Sequence, residues 1–341
     1  MNNDLIYDII DSKVVKCAEI VICLFEHCNL KCVFCPQDHD SIVGASKTEI
    51  LSKVEPIVKW ITENTRSTYF KLHIMGGELF QDQWIDKGFI KVYQEFITQI
   101  RQRVPETKTI IFNFVTNLLF ENVDPVYQFI DENMCMLSVS YDPKGRFAKR
   151  DFELFKRNVE TFKPKIKNIG CVITSQNIDV IMKGDDYFAY LYNNFPVDWD
   201  SYLPSTKAAD YLIPKESKLL EFYKFLVDRY PNCINVLFFT EGKTENKMAC
   251  TRGNSFTILP NNSIPSGCSG SVLLTKPKSN DLGSGAILEK FFQKYNCFEC
   301  EFFKQCPFTC FIKHEYSEAK DDLDVCMYKE TFRYVDSKKE T

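Results

Sequence analysis

The chain has 341 residues, 45% of them hydrophobic and 14% aromatic, enough for one large core or a core with a smaller module beside it. Its formal net charge is −4, with both signs mixed throughout and no Lys/Arg run, which disfavours a nucleic-acid surface. The longest apolar runs, such as Ile20 to Phe25, are strand length and too short to span a bilayer, and "MNNDLIYDII" lacks the basic start and cleavage site of an export signal, so a cytoplasmic protein without a membrane partner is expected.

In chain order, strands are predicted at Glu19 to Phe25, Tyr69 to Met75, Thr109 to Thr116, Met134 to Ser140, Asn168 to Thr174 and Val197 to Leu203. They are rich in Ile, Val and Phe and read as covered on both faces. Helices are predicted between them at Lys47 to Glu63, Ile85 to Arg103, Pro125 to Asn133, Asp151 to Phe162 and Asp179 to Asn194. This alternation implies an α/β fold, a partial (β/α)6 TIM-like barrel. A helix at Lys215 to Tyr230 and a strand at Ile234 to Phe239 follow. From Glu241 the texture changes to turn-rich pieces ("EGKTENK", "PNNSIPSG", "KPKSNDLGSG"), which sets a boundary near residue 240 between a barrel (1–240) and a small cysteine-rich C-terminal domain (241–341).

Fifteen cysteines are too many for a reducing compartment if they are only small hydrophobes, and an odd count in a large chain is no disulfide framework. Metal or cluster ligation remains. "CNLKCVFC" places Cys28, Cys32 and Cys35 directly after the first strand, where a βα barrel gathers its chemistry. Three thiolates at this spacing fit three corners of a cubane iron–sulfur cluster and leave the fourth iron open to a ligand. Taken alone, the same cysteines with His27 or His39 as fourth ligand could also form a zinc site.

The spacing, with aromatic Phe34 before the last cysteine, resembles the signature of the radical S-adenosylmethionine (SAM) superfamily. Further matches end the next three strands. "MGGE" at Met75 to Glu78 resembles the motif that meets the SAM amino group; glycines allow close backbone approach, and Glu78 can accept from an ammonium. "VTN" at Val115 to Asn117 and "SVSYD" at Ser138 to Asp142 lie where relatives hold the SAM ribose and neighbouring polar atoms. The resemblance therefore implies Phe34, Gly76, Gly77, Glu78, Asn117, Ser140 and Asp142 as cofactor-binding candidates. Arg146 is a further candidate for the SAM carboxylate. Taken singly, the glycines or the Ser140–Asp142 pair would read as turns.

Cys297, Cys300, Cys306 and Cys310, with Cys250 and Cys268 before and Cys326 after, resemble the SPASM extension of some radical SAM enzymes, which binds two auxiliary [4Fe–4S] clusters. Carried over, Cys297, Cys300, Cys306 and Cys326 hold an outer cluster, and Cys250, Cys268 and Cys310 an inner one. Cys233 is a candidate fourth ligand of the inner cluster, unless that site is open. The usual glycine before the second cysteine is absent, since Asn262 and Ser263 stand there. A zinc-stabilised module is the alternative for this region. Cys17, Cys23, Cys135 and Cys171 lie in or beside predicted strands and read as core residues, and His73 as a packed histidine.

The resemblance implies one-electron cleavage of SAM to a 5′-deoxyadenosyl radical that takes hydrogen from a substrate, with flavodoxin or ferredoxin as reductant. Many relatives modify ribosomally made peptides by crosslinking or oxidation, so a peptide substrate is expected. The 27 residues before Cys28 are too few for a leader-recognition domain, which implies a separate leader-binding protein or none. Sulfatase maturation fits less well, because relatives place an aspartate base where Ser269 follows Cys268. Oxidation of a small carbohydrate-like alcohol and a non-catalytic zinc-stabilised binding module are the other readings.

Overall fold

The computed structural model describes residues 17–202, 210–241, 255–265, 291–303, 305–306 and 322–339. Six strands follow in chain order, β1 (Cys17–Cys23), β2 (Tyr69–Met75), β3 (Thr109–Thr116), β4 (Met136–Ser140), β5 (Ile166–Ile173) and β6 (Val197–Ser201), and a seventh, β7 (Ser255–Ile258), comes later. All pair in parallel, in the order β6-β5-β4-β3-β2-β1-β7. In a flat sheet β1 and β6 would stand about 24 Å apart. Asp198 of β6 nonetheless raises the pKa of Glu19 on β1, so the sheet curls until its two sides face each other across a half-barrel.

Strand alternation sorts the residues. Ile20, Ile22, Phe70, Leu72, Ile74, Phe112, Phe114, Leu137 and Val139 are buried on the convex face, under the helices. The concave face carries Glu19, Lys71, His73, Asn113, Ser138, Ser140, Asn168 and Asp198, most of them only half-buried. The expectation of strands covered on both faces is therefore corrected. The aliphatic and aromatic richness comes from the convex side, and the concave side is a polar wall, mostly half-buried.

Among the described residues the α-helices are α1 (Lys47–Ser52), α2 (Val54–Glu63), α3 (Asp82–Asp86), α4 (Phe89–Arg103), α5 (Val123–Glu132), α6 (Lys149–Phe162), α7 (Ser175–Lys183), α8 (Asp186–Asn194), α9 (Glu216–Arg229), α10 (Ile234–Thr240) and α11 (Met327–Lys339). Three helices expected as single pieces are pairs. Gly88 (φ +79°) and Gly184 (φ +96°) adopt conformations that interrupt a right-handed helix, separating α3 from α4 and α7 from α8. Lys53 separates α1 from α2. Its buried Nζ donates to Leu259 O (3.0 Å), Pro260 O (2.8 Å) and Asn262 Oδ1 (2.6 Å), clamping the turn after β7 to the barrel.

The strand expected at Ile234 to Phe239 is helix α10, a correction with a clear cause. Its β-branched and aromatic residues read as strand, but a run this short is equally consistent with a buried helix. As a helix it presents Asn235 to the outer edge of β6, where the amide accepts from Trp199 N (2.7 Å) and donates to Trp199 O (2.9 Å). One side chain thus occupies the bonds a next strand would make and ends the sheet there. β7, which sequence reading missed, extends the sheet on the other side through Glu19↔Ser255 to Ile22↔Ile258.

Helix α11 packs on α9, where Tyr334 Oη donates to Asp228 Oδ2 (2.6 Å), and on α10 through Phe239–Phe332, with ring centroids 4.9 Å apart. Phe302 also stacks on Phe332 (4.9 Å), which fixes residues 291–303 against this helix.

Candidate functional site

β1 delivers its chain into the loop that holds Cys28, Cys32 and Cys35, at the C-terminal mouth of the half-barrel. Backbone bonds shape the loop: Cys28 N donates to His39 O (3.0 Å) and Cys35 N to Cys32 O (3.1 Å). None of the three is disulfide-bonded; Cys32 is buried, Cys28 and Cys35 half-buried. Phe34 is buried with Arg146 over its ring, the guanidinium carbon 5.2 Å from the centroid.

The end of β2 is pressed against this loop. A Cβ on Gly77 would lie 2.0 Å from His27 O, and one on Gly76 2.5 Å from Phe25 O. Gly77 N donates to Phe25 O (2.8 Å) and Glu78 N to His27 O (3.0 Å). The two glycines are thus required by the cysteine loop itself, which runs where side chains would stand.

Glu78 is fully buried. Its Oε1 accepts from Phe80 N (3.0 Å) and Thr116 Oγ1 (2.9 Å), and its Oε2 from Asn117 N (2.6 Å). Burial raises its pKa; these donors and the charge of Arg146 oppose the rise. Asn117 carries the connection onward, its Nδ2 donating to Asn29 Oδ1 (2.8 Å) and facing Cys28 Sγ at 3.9 Å. Ser140 lies half-buried on the concave face, paired across the sheet with Gly170.

Asp142 is fully buried and Arg146 contacts its Oδ2 twice, at 2.6 and 2.8 Å. Asp142 Oδ1 accepts from Val172 N (2.8 Å) and Asn177 Nδ2 (2.9 Å). Burial raises the Asp142 pKa, and Arg146 is the largest influence the other way. The same guanidinium lowers the pKa of Cys32, whose burial raises it. Asp142 thereby fixes the Arg146 guanidinium beside the cysteine loop.

Sequence reasoning missed several members of this site. Asn29, Gln37 and Thr116 make their contacts through folded loops and strand ends, which no spacing rule announces. On the concave wall, Asn113 Nδ2 donates to Ser138 Oγ (2.7 Å) and Ser138 Oγ to Asn168 Oδ1 (2.6 Å), while the buried Asn113 Oδ1 has no hydrogen-bond partner among the described residues. Further along, Asp200 shares a face of β6 with Asp198, and desolvation first, then Asp198, Asp142 and Glu19, push its carboxyl up to about 7.

The histidines fall elsewhere. His27 Nδ1 faces Gln81 Nε2 (3.2 Å) and its ring packs edge-on to Trp84 (5.4 Å). His39 is buried, and His73 is half-buried on the concave wall beside Asn113; His314 lies outside the described residues. Of the expected core cysteines, Cys23, Cys135 and Cys171 are buried, whereas Cys17 is half-buried on the concave face.

In the C-terminal region the structure brings Cys297, Cys300, Cys306 and Cys326 together. Burial raises the Cys297 pKa, and the other three thiols add to the rise, Cys326 most. Cys250, Cys268 and Cys310 lie outside the described residues. Cys233 is fully buried beside Trp199 ahead of α10, its thiol pushed up to about 12 by burial.

Among the described residues, no three His, Cys, Asp or Glu side chains converge on a single metal-ion position. Thiolates that each hold a different iron of a cubane are spread more widely than ligands around one ion. The surroundings of the first three cysteines fit such a cluster: Leu30 N donates to Cys28 Sγ (3.4 Å), Asn117 supplies an amide, and Arg146 supplies positive charge. Donors and positive charge around the sulfurs are what an anionic cluster requires.

No protein-family model and no curated protein matches the chain. Solved structures do. Native anSMEcpe with bound AdoMet is similar with a TM-score of 0.63 at 18% identity, over 94% of this chain and 97% of that one. The same protein with bound AdoMet and the Kp18Cys peptide gives 0.63 and 18%, over 94% and 98%. Streptococcus suis SuiB bound to precursor peptide SuiA gives 0.55 and 16%, over 89% and 74%. Among the described residues, no helix is long and apolar enough to cross a membrane. The seven-stranded parallel half-barrel, opening at the three-cysteine loop, has the fold of the radical SAM enzymes.

Proposed function

We propose that this chain is a radical SAM/SPASM enzyme that modifies a ribosomally made peptide by crosslinking or oxidation. The observation that carries the reading is the Cys28–Cys32–Cys35 loop, bound through Gly77, Glu78 and Asn117 to the ends of β2 and β3. When bound, a [4Fe–4S] cluster and SAM would supply one-electron cleavage to a 5′-deoxyadenosyl radical able to take hydrogen from a substrate.

The chain's own residues do the rest. Cys28, Cys32 and Cys35 would hold the cluster, with Phe34 buried between Cys32 and Cys35 in the same loop. Glu78 and Asn117 fix the rim that receives the methionyl end of SAM, and Ser140 offers its hydroxyl to the ribose. Asp142 holds Arg146 in place beside the loop. The quartet Cys297, Cys300, Cys306 and Cys326 holds an outer auxiliary cluster, and Cys250, Cys268 and Cys310 an inner one. Residues 1–240, with β7 (Ser255–Ile258) added at the sheet edge, form the catalytic part and the rest of 241–341 the auxiliary part, with flavodoxin or ferredoxin as electron donor. The peptide complexes of anSMEcpe and SuiB support a peptide as substrate.

The test is anaerobic purification with iron and sulfide analysis, then 5′-deoxyadenosine release on reduction with SAM. Three clusters would give about twelve irons, and Cys28→Ala should abolish release. Zinc without iron, and no release, would sink the reading. A peptide that loses hydrogen, or gains a crosslink, only with SAM present identifies the substrate class.

A further inference from the structure

Gln37 stands two residues beyond Cys35 and is only 6% exposed, so its amide is shut in with whatever it touches. It touches two sulfurs. Cys35 Sγ donates to Gln37 Oε1 at 3.7 Å, and Gln37 Nε2 donates to Cys23 Sγ at 3.8 Å. Cys35 belongs to the three-cysteine loop; Cys23 is the last residue of β1 and outside that set.

We infer that Gln37 tunes the reduction potential of the cluster held by Cys28, Cys32 and Cys35, through a hydrogen bond to Cys35 whose direction is set by the thiol of Cys23. This rests on reading those three cysteines as cluster ligands. A cysteine bound to iron has lost its proton and can only accept. The oxygen end of the Gln37 amide then faces the wrong partner. A half-turn of the amide exchanges its two ends in nearly the same volume and leaves the rest of the chain in place. Nε2–H then donates to the Cys35 sulfur, and Oε1 accepts the S–H of Cys23. The buried thiol, which here donates to Phe25 O at 4.0 Å, turns its S–H to Oε1 and holds the amide in that sense.

A hydrogen bond to a cluster sulfur favours the more negative, reduced state and raises the potential. Its effect is larger where water is excluded. Each cysteine of the loop then has a polar neighbour of its own: Leu30 N and Asn117 for Cys28, the charge of Arg146 for Cys32, and Gln37 for Cys35.

The test is a redox titration of reconstituted full-length protein, following by electron paramagnetic resonance the signal that changes when SAM is added. In Gln37→Leu the ratio of reduced to oxidised cluster at a fixed potential should fall about tenfold, equivalent to about 59 mV for a one-electron couple. Cys23→Ala should shift in the same direction by less, and Cys23→Ser, which keeps a donor, should titrate like the wild type. An unchanged midpoint in Gln37→Leu with full iron content overturns the inference while leaving the proposed function intact. If Gln37→Leu does not hold its cluster, an unchanged midpoint in Cys23→Ala overturns it instead. Wild-type protein without iron would count against the proposed function itself.

Discussion

The Oε2 of Glu78 accepts from the backbone N–H of Asn117 at 2.6 Å, and this bond ties the C-terminal end of β2 to that of β3. The same carboxylate also satisfies Phe80 N and Thr116 Oγ1, so three donors depend on one buried side chain. Glu78→Ala strands all three and should cost about 2–4 kcal/mol in urea unfolding of the cluster-free protein. Glu78→Gln keeps the Oε1 bonds but turns an amide N–H toward Asn117 N, and should cost about 1–2 kcal/mol. Equal stability of all three proteins would show that the carboxylate is not what joins the strand ends.

Two glycines near the mouth should respond in opposite ways. Gly77→Ala forces a Cβ to within 2.0 Å of His27 O and should displace the cysteine loop, with loss of iron during reconstitution. Among the described residues, no atom lies within 4 Å of where a Cβ on Gly170 would be, and Gly170 pairs with Ser140 on the concave wall. Gly170→Ala should keep or raise the melting temperature, since alanine in a strand is better than glycine by about 0.5–1 kcal/mol. If SAM lies against this wall, its affinity should fall in the same variant, read by equilibrium binding.

Iron counting separates the two cysteine groups. Cys306→Ala, within the quartet around Cys297, should remove about four of about twelve irons and leave SAM cleavage measurable. Cys28→Ala should remove a similar amount and all cleavage. Identical losses of both iron and cleavage in the two variants would mean that the groups do not hold separate clusters.

His73 predicts a pH effect. Burial, with Lys167 and Lys71 nearby, lowers its pKa to about 4 from the ordinary 6.5. Between these values the unfolded chain binds a proton that the folded chain does not, so this contribution to stability is full above pH 6.5 and is lost as pH falls toward 4. His73→Asn should therefore lose less stability than the wild type between pH 6.5 and 4, by about 2 kcal/mol. Parallel stability curves for the two proteins across that window would refute it.

Much of the fold was legible in the sequence because its signals are local. β2 and β3 begin and end at the expected residues, since apolar runs bounded by turns mark strands well. α10 was misread because INVLFFT carries no periodicity long enough to decide between strand and helix; the edge of β6 decides it, through Asn235. β7 is four residues long and becomes a strand only by finding β1. Cys28, Cys32 and Cys35 stood out because their spacing lies within one loop. Asp142 and Arg146 were legible as candidates from the end of the fourth strand, but their ion pair, the Asn29–Asn117 bond and the burial of Gln37 were not, since each depends on how the fold closes around the loop. The concave polar wall was hidden by the convex half of the same strands.

The pairing of β7 with β1 has a consequence for how the chain is made. Glu19 meets its partner Ser255 only after roughly 240 further residues have left the ribosome, about 12–50 s at ordinary synthesis rates. Until then one edge of β1, with Ile20 and Ile22 along it, presents unpaired backbone groups to any other strand it meets. Slow translation or high expression should therefore favour aggregates joined through this edge. Chaperones that shield nascent strands should raise the soluble yield more than substitutions within the finished core.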